Sequence, residues 1–428
     1  MAREAGVVVV GLFLAHAAAA QFIQQGSKLV AIDAAGPAGK GKSAAISADG
    51  NIAIVGGPID NNKAGAAWVY SRSGGVWSQQ RSKLVGSGAT RLAMQGRDMA
   101  ALADGRNFAA PGAAQGFSVA ISADGNTVIV GGPFANSGTG AAWVYTRNGG
   151  VWSPQGSKLM GTGVVGTAVF GFSVAISGNG TTAIVGGPSD SRDAGAAWVF
   201  TRTGEVWSQQ GTKLVGTGAV GSARQGWSVA ISGDGNTAIV GGLTDNDHTG
   251  GAWMYGRSGE VWSQQGSKLV GTGAVWPSQQ GSSVAISHDG NTAIVGGPAD
   301  SSFVGGAWVY GWMGGLWLQQ GSKLVSTDAV GATQAGGSVA ISADGNTAAV
   351  GGPGDKANAG ATWVYLRTEG VWSQQGKKLV GSGAIGAAYQ GSSVAISADG
   401  STVLVGGPGD NKHLGAAWVF GASRPPAR

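Results

Sequence analysis

The sequence predicts an all-β fold, a seven-bladed β-propeller of four-stranded antiparallel blades, its ring closed by an N-terminal strand. Three observations predict it. One phrase, Ala-Ile-Ser-x-Asp-Gly-Asn with small departures, begins at Ala45, Ala120, Ala175, Ala230, Ala285, Ala340 and Ala395, so that from Ala120 onward the spacing is constant at 55 residues. Each unit carries four strand-like phrases, the number a propeller blade needs. The fourth phrase also stands ahead of the first complete unit, and the last unit lacks it. A linear β-solenoid is the alternative that the same periodicity allows.

Composition narrows the function classes. Among 428 residues there are 82 Gly, 12 Pro, 16 Trp and no Cys, with 43% hydrophobic and 11% charged residues and a formal net charge of +5. Disorder needs few large apolar residues and high charge, which this chain lacks. Without Cys there are no disulfides, Cys-ligated zinc, iron–sulfur clusters or Cys nucleophiles. The four His, at 16, 248, 288 and 413, lie too far apart along the chain to suggest a multi-His metal site.

Residues 1–20, MAREAGVVVVGLFLAHAAAA, have the layout of a secretory signal peptide. Arg3 opens it, Val7 to Ala15 form a short apolar run, and small residues end it. A buried N-terminal helix is the alternative. No later segment is apolar for the length a transmembrane helix requires. The expected location is secreted or periplasmic, with the mature chain starting near Gln21.

The propeller spans 21–420, followed by a short tail, 421–428. It begins with Gln21-Phe-Ile-Gln-Gln-Gly-Ser-Lys28-Leu29, a fourth-strand phrase with Phe22 where Trp usually stands. The final unit ends after its third strand at Phe420, so the N-terminal phrase is expected to complete it and remove an exposed edge. Within a unit, Ser118 to Ser122 alternates like a strand. Asp124-Gly125 makes a tight hairpin turn, and Thr127 to Val130 returns until Gly-Gly-Pro stops it. Ala141 to Tyr145 is the third strand, with Trp143 and Tyr145 on one face. Asn148-Gly149-Gly150 turns into the fourth strand, Val151 to Leu159. Apolar residues on both faces call for cover on both sides. The first interval holds 20 extra residues, at about 93–112, which read as a surface insertion between blades one and two.

These phrases resemble the FG-GAP repeat family, the repeats of the integrin α-subunit propeller and of secreted bacterial proteins. The match is best in blade three: Phe170-Gly171-Phe-Ser-Val-Ala-Ile-Ser177, Val185-Gly-Gly-Pro188 and Gly195-Ala-Ala-Trp-Val-Phe200. The Phe-Gly pair survives only there, and Gly-Ala-Pro has become Gly-Gly-Pro. The resemblance implies a propeller used for recognition or adhesion and implies no reaction. Members that bind calcium do so through an Asp-rich loop between the first two strands. Here that loop has one carboxylate, as at Asp124, Asp234 and Asp344, or Asn179, too few oxygens for Ca²⁺. The expectation is a structural turn, with no metal and no cofactor.

Other repeated residues have a structural and a functional reading. The third-strand Trp (68, 143, 198, 253, 308, 363 and 418) read as core more than as sugar platforms. The fourth-strand Trp, such as Trp77, Trp152 and Trp207, are the better stacking candidates, although packing is favoured there too. Lys28, Lys83, Lys158, Lys213, Lys268, Lys323 and Lys378 read as a solvated rim, or functionally as a site for a polyanion. Nucleic acid is not expected, because no compact basic patch with exposed aromatics stands out. No singular acid–base pair interrupts the repeats, so the chain is not expected to be an enzyme. A hydrolase or lyase site at the channel mouth is the weakest reading.

Variation among copies points to a binding face. The loop after Gly-Gly-Pro differs in every unit, and so does the connection from strand four to the next blade. In a propeller these two loop sets project from one face, and loops on a rigid scaffold are where binding resides. The candidate ligand contacts are Phe134, Trp227, Asp245, His248, Trp276, Phe303 and Tyr389. Unconstrained loop drift would give the same variation. The reading is a secreted, non-enzymatic recognition or adhesion propeller, monomeric, with an unknown protein or glycan ligand. A lectin-like carbohydrate-binding propeller is the alternative.

Overall fold

A computed structural model describes residues 21–87 and 112–423. The signal-like segment 1–20, all but the last residue of the 93–112 insertion and the end of the tail lie outside the described residues. Seven four-stranded antiparallel sheets follow one another along the chain. In blade two the strands are Ser118–Ile121, Thr127–Gly132, Ala141–Asn148 and Val151–Pro154. The third strand runs longer than the sequence suggests and the fourth shorter. After Pro154 the chain leaves the sheet and returns only at a single bridge, Leu159 to Ala142.

The ring closes as the N-terminal phrase predicts. Phe22–Gln24 pairs antiparallel with Ala416–Ala422, in the register Phe22 to Ala422 and Gln24 to Phe420. Leu29 bridges Ala417. Lys28 Nζ lies 2.6 Å from Asp410 Oδ2 in blade seven. Lys40, fully buried, donates to the Leu29 carbonyl at 2.5 Å and lies over the Tyr70 ring. Burial pushes its pKa well below the lysine range, a shift that Asp410 opposes. The first strand of blade seven, Ser393–Ile396, lies against that of blade one, Ser43–Ile46, as every other neighbouring pair of first strands does.

A second closure runs through the backbone. Each Asp-Gly hairpin donates one N–H to the next blade's hairpin: Ala48 to Ala123, Ala123 to Gly178, Gly178 to Gly233, Gly233 to His288, His288 to Ala343, Ala343 to Ala398 and Ala398 back to Ala48, at 2.8–3.1 Å. This seven-membered ring tolerates little besides Ala and Gly. A Cβ on Gly233 would overlap the His288 ring, so the one large side chain fits because its neighbour has none.

The core lies between blades. One buried cluster joins Ile129, Ala142 and Val144 of blade two to Val185, Trp198 and Phe200 of blade three. Trp198 is 0% exposed, as are Trp68, Trp253, Trp308, Trp363 and Trp418. Each ring removes enough apolar surface from water to contribute about 4–6 kcal/mol as an upper bound. The Trp198 indole N–H donates to the Thr162 carbonyl at 2.8 Å, so no polar atom is stranded. The Gly-Gly-Pro phrase follows from this packing. A Cβ on Gly187 would press into the Trp198 ring at 2.8 Å, and one on Gly186 would collide with the Gly226 carbonyl of the next blade.

The hairpin Asp residues close their turns. Asp124 Oδ1 accepts from Ser122 Oγ at 2.5 Å and from the Asn126 N–H at 2.9 Å, and Oδ2 accepts from the Asn126 amide. The same set recurs at Asp234, Asp289 and Asp344. Burial would raise these carboxyls, but the hydrogen bonds outweigh it and hold them below the usual carboxylate range.

Two outcomes follow. A chain without residues 21–30 loses the single cooperative thermal transition of the full chain, read by calorimetry; superimposable traces would show that the borrowed strand is dispensable. A carboxyl with a depressed folded pKa contributes stability that is full above its unfolded value, near 3.9, and is lost as pH falls through the folded value. The protein is therefore destabilised by acid below about pH 4. Asp124→Asn with Asp234→Asn and Asp344→Asn, each copying Asn179 of blade three, reduces the difference between urea midpoints at pH 7 and pH 3.

Candidate functional site

The face opposite the hairpin ring carries the variable loops, and the turn after Gly-Gly-Pro varies in side chain while keeping three successive positive-φ residues in every blade. In blade one Asn61, Asn62 and Lys63 have φ of 46°, 55° and 68°. Blade four repeats this with Asn246, Asp247 and His248 (47°, 51° and 64°), and blade seven with Asn411, Lys412 and His413 (49°, 56° and 66°). Three successive L-residues in the left-handed region cost about 1–2 kcal/mol each relative to the right-handed helix. Such a turn persists only where its surroundings impose it.

In six of the seven blades a buried ion pair stabilises it. Asp245, 0% exposed, opens the blade-four turn. Its Oδ1 accepts the Val220 N–H at 2.7 Å and its Oδ2 accepts Lys268 Nζ at 2.5 Å, while its carbonyl accepts the Gly250 N–H at 2.8 Å. Asp60 with Lys83, Asp190 with Lys213, Asp300 with Lys323, Asp355 with Lys378 and Asp410 with Lys28 repeat the arrangement. Blade two has Ala135 at this position, and Lys158 bonds to Asn136 Oδ1 instead. The repeated lysines are therefore not the solvated rim that the sequence suggests; each is tied to a partner inside its own blade. Asp245 is corrected in the same way. It anchors the loop, and both its oxygens are taken.

The third residue of each turn passes its carbonyl to the next blade. His413 accepts from Gly39, Lys63 from Ala114, Gly138 from Val169, Asp193 from Arg224, His248 from Gln279, Phe303 from Gln334 and Asn358 from Tyr389. Every loop on this face is thus pinned at both ends, and the chemical differences among blades sit on a common frame.

The remaining candidates fall into two groups. Phe134 and Tyr389 line one cavity of about 510 Å³ that spans blades six, seven, one and two. Trp227 extends an aromatic row: its ring is 4.5 Å from Phe172, and Phe172 is 4.8 Å from Phe117. His248, Trp276 and Phe303 belong to the blade-four and blade-five side and do not line the cavity. Trp276 is 63% exposed, with its indole N–H on the Asp247 carbonyl, and Phe303 is 47% exposed.

The fourth-strand Trp are structural. Trp152, Trp207, Trp262 and Trp317 each donate the indole N–H to a Gln at the end of the preceding blade. An Arg lies over the rings of Trp77, Trp152, Trp207, Trp262 and Trp372 at 5.5–5.9 Å. In blade five Trp312 replaces the Arg and its ring lies 5.6 Å from Trp317.

One ring of residues escaped the sequence reading. The residue just before each first strand is Lys42, Phe117, Phe172, Trp227, Ser282, Gly337 and Ser392. These positions start the innermost strands and so surround the channel mouth. Aligning the copies at that column shows the shift from aromatic to small residues, but only Trp227 stood out by its size. Lys42 is half-buried in the wall of the mouth, its ammonium 5.1 Å from the Phe117 ring, and desolvation lowers its pKa.

Residues 153–200 match the FG-GAP repeat family model. That segment runs from the last two residues of the fourth strand of blade two through the first two strands of blade three into its third. The chain fits an FG-GAP propeller family. Among curated proteins no match is found. In this propeller the first hairpin of a blade uses its single carboxylate within the turn. Among the described residues no group of three or more His, Asp or Glu could hold a metal ion, and no helix is long and apolar enough to cross a membrane.

The two halves of the anchor differ in accessibility, which orders the effects of removing them. Lys213→Met leaves the fully buried Asp190 carboxylate without its cation and destabilises by about 3–5 kcal/mol. Asp190→Asn keeps an acceptor for the Val165 N–H and leaves a lysine that can reach water, for a loss of about 1–3 kcal/mol. Urea midpoints at neutral pH measure both; the reverse order would refute the anchoring role.

Proposed function

We propose that this FG-GAP propeller is a non-enzymatic recognition or adhesion module that works outside the cytoplasm as a monomer and holds a protein or glycan ligand on its variable face. The propeller fold is consistent with a binding module. One observation carries the reading. The hairpin face repeats Ala, Gly and Asp-Gly turns around the ring, whereas the opposite face holds seven loops in one backbone conformation and gives each different side chains. A frame kept constant at the cost of left-handed turns, with changing chemistry on it, suits recognition better than drift does. Among the described residues the cavity at the channel mouth is lined by lysine, histidine, aromatic and amide side chains and by no carboxylate, a lining that suits binding better than acid–base chemistry. The signal-like residues 1–20 support an extracytoplasmic site of action.

The lectin reading rests on Trp276, the most exposed aromatic of this face and a flat platform suited to stacking on a sugar ring. A glycan array and a panel of purified extracellular proteins, probed with the full chain, separate the two. Trp276→Ala with Phe303→Ala weakens whichever binding is found at least about tenfold, while Val206→Ser with Val261→Ser, on exposed positions of the outer strands, leaves it unchanged. Equal loss in both pairs would sink the assignment of function to the variable face.

A further inference from the structure

The cavity at the channel mouth has a chemistry that the recognition reading alone does not specify. From the aromatic row, Lys42 and Phe117 enter its wall, while Phe172 and Trp227 continue the row beyond it. On the opposite side Gly337 and Ser392 occupy the same column of the repeat as Trp227, and their small size leaves a crescent open. Tyr389 stands over Gly409, where a Cβ would reach the ring at 2.5 Å, so a second flat wall faces the opening.

The charges in this cavity differ from those elsewhere. Six of the seven repeated lysines form ion pairs with buried Asp residues, and Lys158 bonds to Asn136. Lys42 and Lys63 line the cavity, and among the described residues neither has a carboxylate within ion-pair distance. Lys63 is 8% exposed overall, and half-buried Lys42 has the Phe117 ring beside its ammonium. His413 adds a third nitrogen side chain, and Asn358 and Gln334 add amides; among the described residues no Asp or Glu lines the space. Cations partly or wholly removed from water without a counter-charge are costly, and an incoming anion would relieve that cost through charge-assisted hydrogen bonds.

We propose that the channel mouth binds a small anion with a flat apolar body, of the aryl carboxylate or aryl sulfate type. Lys42 and Lys63 hold the anionic head, and the body lies in the crescent between Phe117 and Tyr389. A volume of about 510 Å³ suits a ligand of that size. The proposal deepens the recognition reading and rests on it for the face, but it concerns a different part of that face from Trp276 and Phe303.

The test uses 1-naphthoate as probe, with 2-naphthalenemethanol and naphthylmethylammonium as its neutral and cationic counterparts, titrated calorimetrically into the full chain. Naphthoate binds and the counterparts do not. Lys42→Met and Lys63→Met each weaken binding at least about tenfold, the loss of one charge-assisted hydrogen bond. Ser392→Trp abolishes it by filling the crescent with the residue that blade four carries at this column, with no charge removed. Lys377→Met, on the exposed surface, leaves it intact. No binding at millimolar naphthoate, equal binding of the three probes, or equal loss in Lys377→Met overturns the proposal. If naphthoate fails while the Trp276 and Phe303 pair still governs partner binding, the anion site alone falls. If naphthoate binds as described and no partner depends on that pair, the anion site stands without the wider recognition role.

Discussion

The structure depends on an unbroken circle of backbone hydrogen bonds around the channel. Seven hairpins each give one N–H to the next, and the last returns to the first. A circle has no terminal member, so each blade is held from both sides. Blade seven takes its place in that circle, and its outer edge is completed by Phe22–Gln24 from the other end of the chain. The Lys28–Asp410 pair and the Lys40 contact with the Leu29 carbonyl fasten the same seam with polar groups removed from water. Loop closure between the two ends of so long a chain is entropically costly, and these contacts together offset it.

Closure explains why the glycines sit where they do. The blades approach so closely that Gly186 meets a neighbouring carbonyl and Gly187 meets a tryptophan ring. The tryptophan in turn bridges two blades and satisfies its indole N–H locally. Burial, close approach and hydrogen bonding therefore select the same residues in every unit, and the departures have visible compensation. Asn179 closes a turn without a carboxylate, and Trp312 stacks where an arginine lies elsewhere.

The buried Asp–Lys pairs connect this scaffold to the variable face. They hold left-handed turns that an isolated peptide would abandon, and the turns then carry Lys63, Asp193, His248, Phe303, Asn358 and His413 at equivalent places. Because the backbone geometry recurs in all seven blades, in blade two even without the pair, the third residue is free to differ. The face can thus change its chemistry from blade to blade without changing its shape, which is what separates the cationic, aromatic mouth at blades six to two from the exposed His248, Trp276 and Phe303 side.

The repeat period, the strand count, the closing phrase and the buried tryptophans were all legible in the sequence, because each follows from local periodicity and from hydrophobic burial that recurs in phase. The lysines were misplaced for a related reason: a repeated cation looks like a rim until its partner, 23 residues earlier in five blades and across the termini in the sixth, is seen to be buried beside it. Asp245 stood out as part of an acidic loop, yet burial consumed it. Of the channel-mouth ring and the cavity only Trp227, Phe134 and Tyr389 stood out in the sequence, and nothing there showed that Phe134 and Tyr389 share a cavity with Lys42 and Lys63. The ring and the cavity arise where residues far apart in the chain, such as Lys42, Gly337 and Ser392, are brought together by curvature of the whole ring. Proximity of that kind is a property of closure, and only the assembled tertiary structure decides it.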